Sequence, residues 1–391
     1  MKRARAHWIC CQLGAREHYS IPRALHAGGL LGYLMTDAWV LPSSLRLPLP
    51  GMQRLADRYH PELQNASLKG FTADLLRFEA MHRLRKTDAW TRILARNDWF
   101  QRRAIAHLQH TSVSRPILFS YSYAALKLGR FAKQRGWSFV LGQIDPGRKA
   151  EQQWQPFPVG YWESWLEECQ LADRIIVNSP WSAQWLQAEG IPAEKLVLLP
   201  LVYEPEEAME QFQRRYPEQF SPERPLRVLF LGQAIARKGI QELLQAAHRL
   251  ADQPIQFILV GAADPDLVAA HRAPNLCWVG AVPRSATAAY YQQADIFLFP
   301  THSDGFGLTQ LEAQAWKLPL IASRCCGAVV QDQVNGLVLP EVSPEAIAQF
   351  LLTCLQEPQR LAQFAAHSGI APQFRMDHLR QHLCHLSTEL S

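Results

Sequence analysis

The feature that most limits what this chain can fold into is a series of short, continuous apolar runs set between helical stretches. In the second half they are Arg227–Leu231, Phe257–Val260, Leu276–Val279, Ile296–Phe299, Leu320–Ala322 and Leu337–Leu339. The first half repeats the theme less regularly, at Trp8–Leu13, Tyr33–Met35, Ile117–Ser120, Phe139–Gly142, Ile175–Val177 and Val197–Leu199. A strand that is apolar at successive positions is buried on both faces. Such strands alternating with helices pair in parallel beneath two helical layers. Two sets of them predict an α/β chain of two doubly wound domains facing across a cleft, with ligands beyond the carboxyl ends of the strands. A length of 391 residues agrees with two domains.

Local punctuation sharpens the division. Ser179-Pro180 places a cap before a first-turn proline, and Gly190 stops that helix ahead of Ile191-Pro192; Ser343-Pro344-Glu345 starts another in the same way. The stretch from Met52 to Gln109 has helical periodicity and few strand signals, and the polar segment Glu204–Pro225 reads as a linker. The expected layout is a first domain over 1–203 carrying a helical insertion at about 41–110, a second over 204–365, and a final helix within 366–391 that packs back on the first.

Composition excludes several classes. Hydrophobic content of 48% with 19% charged residues describes a globular chain with a core, not a disordered one. The longest apolar runs, such as VLFL and IFLF, fall far short of the ~20 residues that span a bilayer. The opening MKRARAHWICCQLG reads as a first strand and not a leader, because its short apolar part runs into Gly14, Arg16 and Glu17. The eight cysteines show no C-x-x-C or zinc spacing and are expected as small core residues in a reducing, cytoplasmic setting. A pI near 8.8 is only mildly basic, and no nucleic-acid partner is expected. Arginines crowd the stretch from Lys69 to Arg103; a solvated helix face is the plainer reading, and an anionic acceptor or a peripheral membrane contact the sharper one.

Two segments carry chemistry. In RVLFLGQAIARKGIQELLQAA a strand turns at Gly232 into a loop holding Arg237 and Lys238, then Gly239 and a helix. Loop amides and a cation converging at a helix start make an anion site, unless the Arg-Lys pair merely faces solvent. In ADIFLFPTHSDGFGLTQLEAQAWKLPLIAS a buried strand is followed by a loop and a helix starting near Leu308. Gly305 and Gly307 allow close backbone approach, and the amides of Gly307, Leu308 and Thr309 are free to meet an anion. Asp304 and Glu312 flank that helix start, which suits a hydroxyl-rich ligand; the alternative is a cap at Asp304 and a surface Glu312.

This second segment resembles the E-x7-E region of the retaining glycosyltransferase family conventionally numbered four (glycosyl transferases group 1). The resemblance extends over the second half through GQAIARKG, FILVGA, VGAVPRSATAAYYQQADIFLFP and CGAVVQDQVNGLVLP, and reaches back to ADRIIVNSPWSAQWLQAEGIPAEKLVLLP. It implies the GT-B architecture of two Rossmann-like domains and transfer of a sugar, with retention, from a nucleotide diphosphate donor of UDP or GDP type. It implies that Lys238 and the amides of Leu308 and Thr309 hold the pyrophosphate and that Asp304 faces the donor sugar near the reacting centre. Glu312 would hold the ribose and backbone near Val282 the base, with the Gly305-Phe306-Gly307 loop and the Gly14 loop of the first domain over the phosphates. Neither a metal nor another cofactor is expected, since a lysine and a helix start take the leaving charge.

Three positions depart from the family pattern. Gln233 stands where the family has Arg, and Arg237 is the candidate to supply that charge. Asp304 is shorter than the usual Glu. The stretch ILFSYSYAAL offers Ser120, Tyr121, Ser122 and Tyr123 where many members have His, leaving Asp145 in GQIDPG as the nearest ionisable group. Arg16, His18, Tyr121 and Asp145 are therefore the acceptor-side candidates. The acceptor is expected to be a hydroxyl of a glycan, lipid or small molecule. Rival readings are a non-catalytic nucleotide-sugar-binding protein, a nucleotide-sugar epimerase of the same architecture or, less favoured, a glycan phosphorylase, whose pyridoxal lysine has no counterpart here. A Rossmann oxidoreductase is disfavoured because no G-x-G-x-x-G follows either first strand.

Overall fold

The computed structural model describes residues 7–41, 55, 58–111, 113 and 116–391. Its first sheet comprises β1 (Trp8–Gln12), β2 (Leu31–Thr36), β3 (Leu68–Gly70), β4 (Ile117–Tyr121), β5 (Ser138–Gly142), β6 (Arg174–Val177) and β7 (Leu196–Leu198). They lie in the order β3-β2-β1-β4-β5-β6-β7, every pair parallel. The second sheet holds β8 (Leu226–Leu231), β9 (Ile255–Val260), β10 (Leu276–Gly280), β11 (Ile296–Phe299), β12 (Leu320–Ala322) and β13 (Gly336–Val338). Their order is β10-β9-β8-β11-β12-β13, again all parallel.

The continuous apolar runs have a direct cause. Successive residues of a strand point to opposite faces, and here each face has its own core. Val228 and Phe230 enter one cluster with Leu243 and Ile347, while Leu229 between them enters another with Phe297 and Leu311. In the first sheet Ile9 and Cys11 pack on one side, Trp8 and Cys10 on the other. Five of the eight cysteines are buried in these cores.

All twelve strands expected from sequence are present, with ends shifted by no more than two residues. β3 was not expected, because it lies within the stretch read as helical, ahead of the helices Thr72–Leu84 and Ala89–Leu108. Three residues, LKG, are too short to show a periodicity. The strand is supplied by the free edge of β2: Leu34 N–H donates to Ser67 C=O (2.9 Å) and Phe71 N–H to Thr36 C=O (3.1 Å). Ser179 and Ser343 cap their helices as read, their hydroxyls accepting from Ser182 N–H (3.1 Å) and Ala346 N–H (3.2 Å).

The final helix, Met376–Glu389, joins the first domain's core. Leu379, Leu383 and Leu386 pack with Ile21 and Leu25, and Trp8 Nε1 donates to Ser387 Oγ at 2.6 Å. The domains also touch at the cleft floor. Ser182 Oγ donates to Gly305 C=O (3.3 Å), and a Cβ on Gly305 would lie 2.2 Å from the Ile144 carbonyl oxygen. The carboxyl ends of β1, β4 and β5 thereby face those of β8 and β11.

Candidate active site

The site is built from loops that leave strand ends. After β8 the chain passes Gly232, makes a short turn at Ala236–Lys238 and starts the helix Ile240–Arg249. Lys238 crosses to the loop after β11 and pairs with the carboxylate of Asp304; its ammonium is 5.4 Å from the Phe299 ring centre. The helix Thr309–Ala315 begins beyond Leu308 with no side-chain cap, so Asp304 is the partner of Lys238 and not a cap. Gly307 has a φ of 82°, and a Cβ there would lie 2.5 Å from Phe299; only glycine lets the loop lie this close. Lys238, Asp304, Phe306, Gly307, Leu308 and Thr309 line one wall of a cavity of about 340 Å³, with Arg16, Glu17, His18 and Ile144 of the first domain opposite.

Glu312 is one turn into that helix and is not a surface residue, its side chain being 15% exposed. One carboxylate oxygen accepts from Tyr291 OH at 2.8 Å and the other from Arg284 at 3.4 Å. Arg284 also meets His18 of the first domain, so a chain of polar contacts crosses the cleft mouth. Val282 packs against the same apolar cluster as Tyr290 and Leu308.

On the first-domain side, the loop after β1 is strained. Glu17, His18 and Tyr19 follow one another with φ of 52°, 51° and 57°, a left-handed run costing roughly 1–2 kcal/mol per residue. Specific bonds hold it. Glu17 accepts from Tyr121 OH (2.8 Å) and Ser20 Oγ (3.4 Å), and burial pushes its carboxyl above the usual range. Gly14 N–H donates to Asp37 at 2.9 Å. Asp37, fully buried, also pairs with Arg58 (3.1 Å) and Arg96. A second cavity, about 310 Å³, opens here between Gly14, Arg16, Arg58, Arg96, Tyr121 and Tyr123, and adjoins the first at Arg16 and Ile144.

The remaining sequence candidates lie elsewhere. Gln233 is exposed and outside the lining of the first cavity. Arg237 turns to the domain contact, donating to Ser303 C=O (2.8 Å) and facing Glu151 (3.5 Å), so it does not replace the missing charge there. The second cation on that cavity's wall is Arg16. Gly305 serves the domain contact described above. Asp145 orders its own turn, accepting from Tyr123 OH (2.7 Å), Gly147 N–H (2.9 Å) and Gln143 Nε2 (3.0 Å), and lines neither cavity. Among the described residues no group of three or more His, Cys, Asp or Glu is placed to hold a metal ion. An Asp-x-Asp triplet, Asp264-Pro265-Asp266, forms a helix cap in which Asp264 accepts from Asp266 N–H at 2.8 Å.

Residues 225–357, which contain Lys238, Asp304 and Glu312, match the family model described as glycosyl transferases group 1. The second domain belongs to the group 1 glycosyltransferases. The D-inositol 3-phosphate glycosyltransferase of Xylanimonas cellulosilytica is 32% identical over 156 residues, 37% of this chain and 37% of that protein. The capsular polysaccharide biosynthesis glycosyltransferase CapM of Staphylococcus aureus is 25% identical over 151 residues, 36% of this chain and 39% of CapM. The match thus spans a little over a third of these curated relatives. Among solved structures, HepE of Anabaena in complex with UDP superposes with a TM-score of 0.67 at 15% identity, over 98% of this chain and 100% of that one. Sucrose-phosphate synthase of Thermosynechococcus elongatus gives 0.65 at 18%, over 98% and 99%. These likenesses show the GT-B fold across the chain.

Several features that shape the site were only partly legible: Arg96 lay in the arginine-rich stretch from Lys69 to Arg103, but nothing local joined it to Arg58. Arg58 and Arg96 are joined only through Asp37, 21 and 59 residues away. Arg284 stood inside a recognised motif, but its partners come from other elements. The strained Glu17–Tyr19 run has no glycine to announce it.

Proposed function

We propose that this protein transfers a sugar from a nucleoside diphosphate sugar to an acceptor hydroxyl, with the anomeric configuration retained and without a metal. The observation that carries this reading is Lys238 beside Asp304 at an uncapped helix start, on the wall of a cavity between the domains. Lys238 and the amides of Leu308 and Thr309 hold the diphosphate, and a uridine donor is favoured because HepE, of the same fold, is seen with UDP. Glu312 grips the ribose and Val282 borders the base. Asp304 faces the sugar, where positive charge grows as the glycosidic bond breaks and a carboxylate is worth more in the transition state than before it.

In the retaining route the bond from C1 to the leaving phosphate oxygen breaks. The acceptor oxygen then bonds to C1 on the same face, and its proton passes to the departing phosphate. The protein supplies position and charge instead of a covalent nucleophile. That role is compatible with the absence of His at the end of β4. The test is incubation with a panel of nucleotide sugars, scoring nucleoside diphosphate release and, by proton NMR, the product's anomeric configuration. Inversion would sink the retaining route, and release with no panel donor would sink the enzyme reading.

Membrane contact belongs to the same proposal. Among the described residues no helix is long and apolar enough to cross a membrane. The helix Thr72–Leu84, however, exposes Leu76, Met81 and Leu84 beside Arg77 and Arg83. A peripheral contact with anionic lipid through this face predicts flotation with acidic vesicles that salt and Arg77→Glu/Arg83→Glu both abolish.

A further inference from the structure

The proposed transfer leaves the acceptor's chemistry open, and the second cavity bears on it. Its wall carries the guanidinium groups of Arg16, Arg58 and Arg96, and no carboxylate belongs to its described lining. Arg58 and Arg96 share one buried carboxylate, Asp37. Glu79 lies 3.9 Å from Arg96 but is itself paired with Arg92. Counting these groups, three arginines (Arg58, Arg92, Arg96) meet two carboxylates (Asp37, Glu79), and one positive charge is left over. Arg16 adds a third guanidinium to the same wall.

The arrangement is also held in place. Asp37 is fully buried and also accepts from Gly14 N–H, Ala38 N–H and Thr36 Oγ1. Two guanidiniums are therefore oriented from behind, with their other N–H groups available to whatever enters in front. The Nε of Arg96 is buried with no hydrogen-bond partner, an unmet donor of the kind native proteins rarely leave. A planar guanidinium with spare N–H groups matches phosphate and carboxylate oxygens better than it matches hydroxyls. Tyr121 and Tyr123 also line it; their hydroxyls are engaged by Glu17 and Asp145, and their rings offer surface to a sugar-like or polyol body.

We infer that the acceptor carries an oxyanion, a phosphate or a carboxylate, seated against Arg58 and Arg96, with its reacting hydroxyl directed past Arg16 toward the donor cavity. This inference rests on the glycosyltransferase reading of the neighbouring cavity, and its test separates the two. Titration calorimetry with UDP present would compare glucose 6-phosphate, glucuronate and glucose. Anionic probes should bind at least about ten-fold more tightly than glucose, the factor one charge-assisted contact supplies. The preference for glucose 6-phosphate or for glucuronate tells phosphate from carboxylate. Binding should weaken with salt and with competing inorganic phosphate in the unaltered protein, a measurement that needs no variant to fold. Arg58→Gln and Arg96→Gln should each remove most of the anion preference while changing UDP affinity far less, since neither residue lines the donor cavity. Equal binding of glucose and its anionic analogues, or an anion preference that survives both substitutions, overturns the inference. Failure of the unaltered protein to bind UDP would count instead against the donor reading.

Discussion

Replacing Lys238 with alanine tests the donor site most directly. A charge-assisted contact to phosphate contributes about 1.5–3 kcal/mol, so UDP should bind roughly 10- to 150-fold more weakly. The structure argues for the upper part of that range. Lys238 is paired with Asp304, and the two side chains are only 15% and 19% exposed. Removing the lysine therefore also leaves a poorly hydrated carboxylate facing the incoming phosphates. Lys238→Ala/Asp304→Asn should recover part of the loss, because the second change removes that repulsion. Asp304→Asn alone frees the lysine and should leave UDP affinity unchanged or improved. Titration calorimetry with UDP and with uridine reads each variant. Uridine, which has no phosphate, should be nearly indifferent to all three. An equal loss for uridine and UDP, or a double variant weaker than the sum of its parts, would refute the reasoning.

Other consequences are equally concrete. Asp304→Asn should mainly lower kcat and Glu312→Gln mainly raise the donor KM, since the ribose is held alike in ground and transition states; steady-state kinetics with a full kcat for Asp304→Asn would leave Asp304 without a catalytic role. Transfer should persist in EDTA, and complete loss restored by Mg²⁺ would contradict the charge assignment. Burial pushes Glu151 from 4.5 up to about 7, against the pull of Arg237, and Glu168 from 4.5 up to about 7, against the backbone N–H groups of Tyr123, Ala125 and Leu126. The folded protein therefore binds more protons than the unfolded chain, so stability should be greatest below about pH 4.5 as far as these groups decide it, and fall as pH rises toward 7. Glu151→Gln should flatten part of that slope in thermal melts, and an unchanged slope would count against it. Gly305→Ala should loosen the domain contact, its Cβ falling 2.2 Å from the Ile144 oxygen, and native-state proteolysis at the interdomain segment would report it.

What the sequence determined by itself is whatever repeats or stays local. The apolar runs fixed both sheets because a strand buried on two faces must be apolar at every position, and that pattern survives without knowledge of its partners. Serine caps, proline starts and the loop between β11 and its helix are encoded within a few residues, whereas the meeting of Lys238 with Asp304, 66 residues on, needed β8 and β11 to lie side by side. Tertiary structure alone decided the rest. β3 exists because β2 offers a free edge, not because LKG prefers to extend. Arg237 was the natural substitute for the charge missing at Gln233, yet it turns to Glu151, a partner 86 residues away that only domain packing supplies. Arg58 and Arg96 form a site only through a buried carboxylate to which neither is adjacent in sequence. The direction of a long side chain is set by which charges packing brings within reach, and a linear sequence carries little record of that distance.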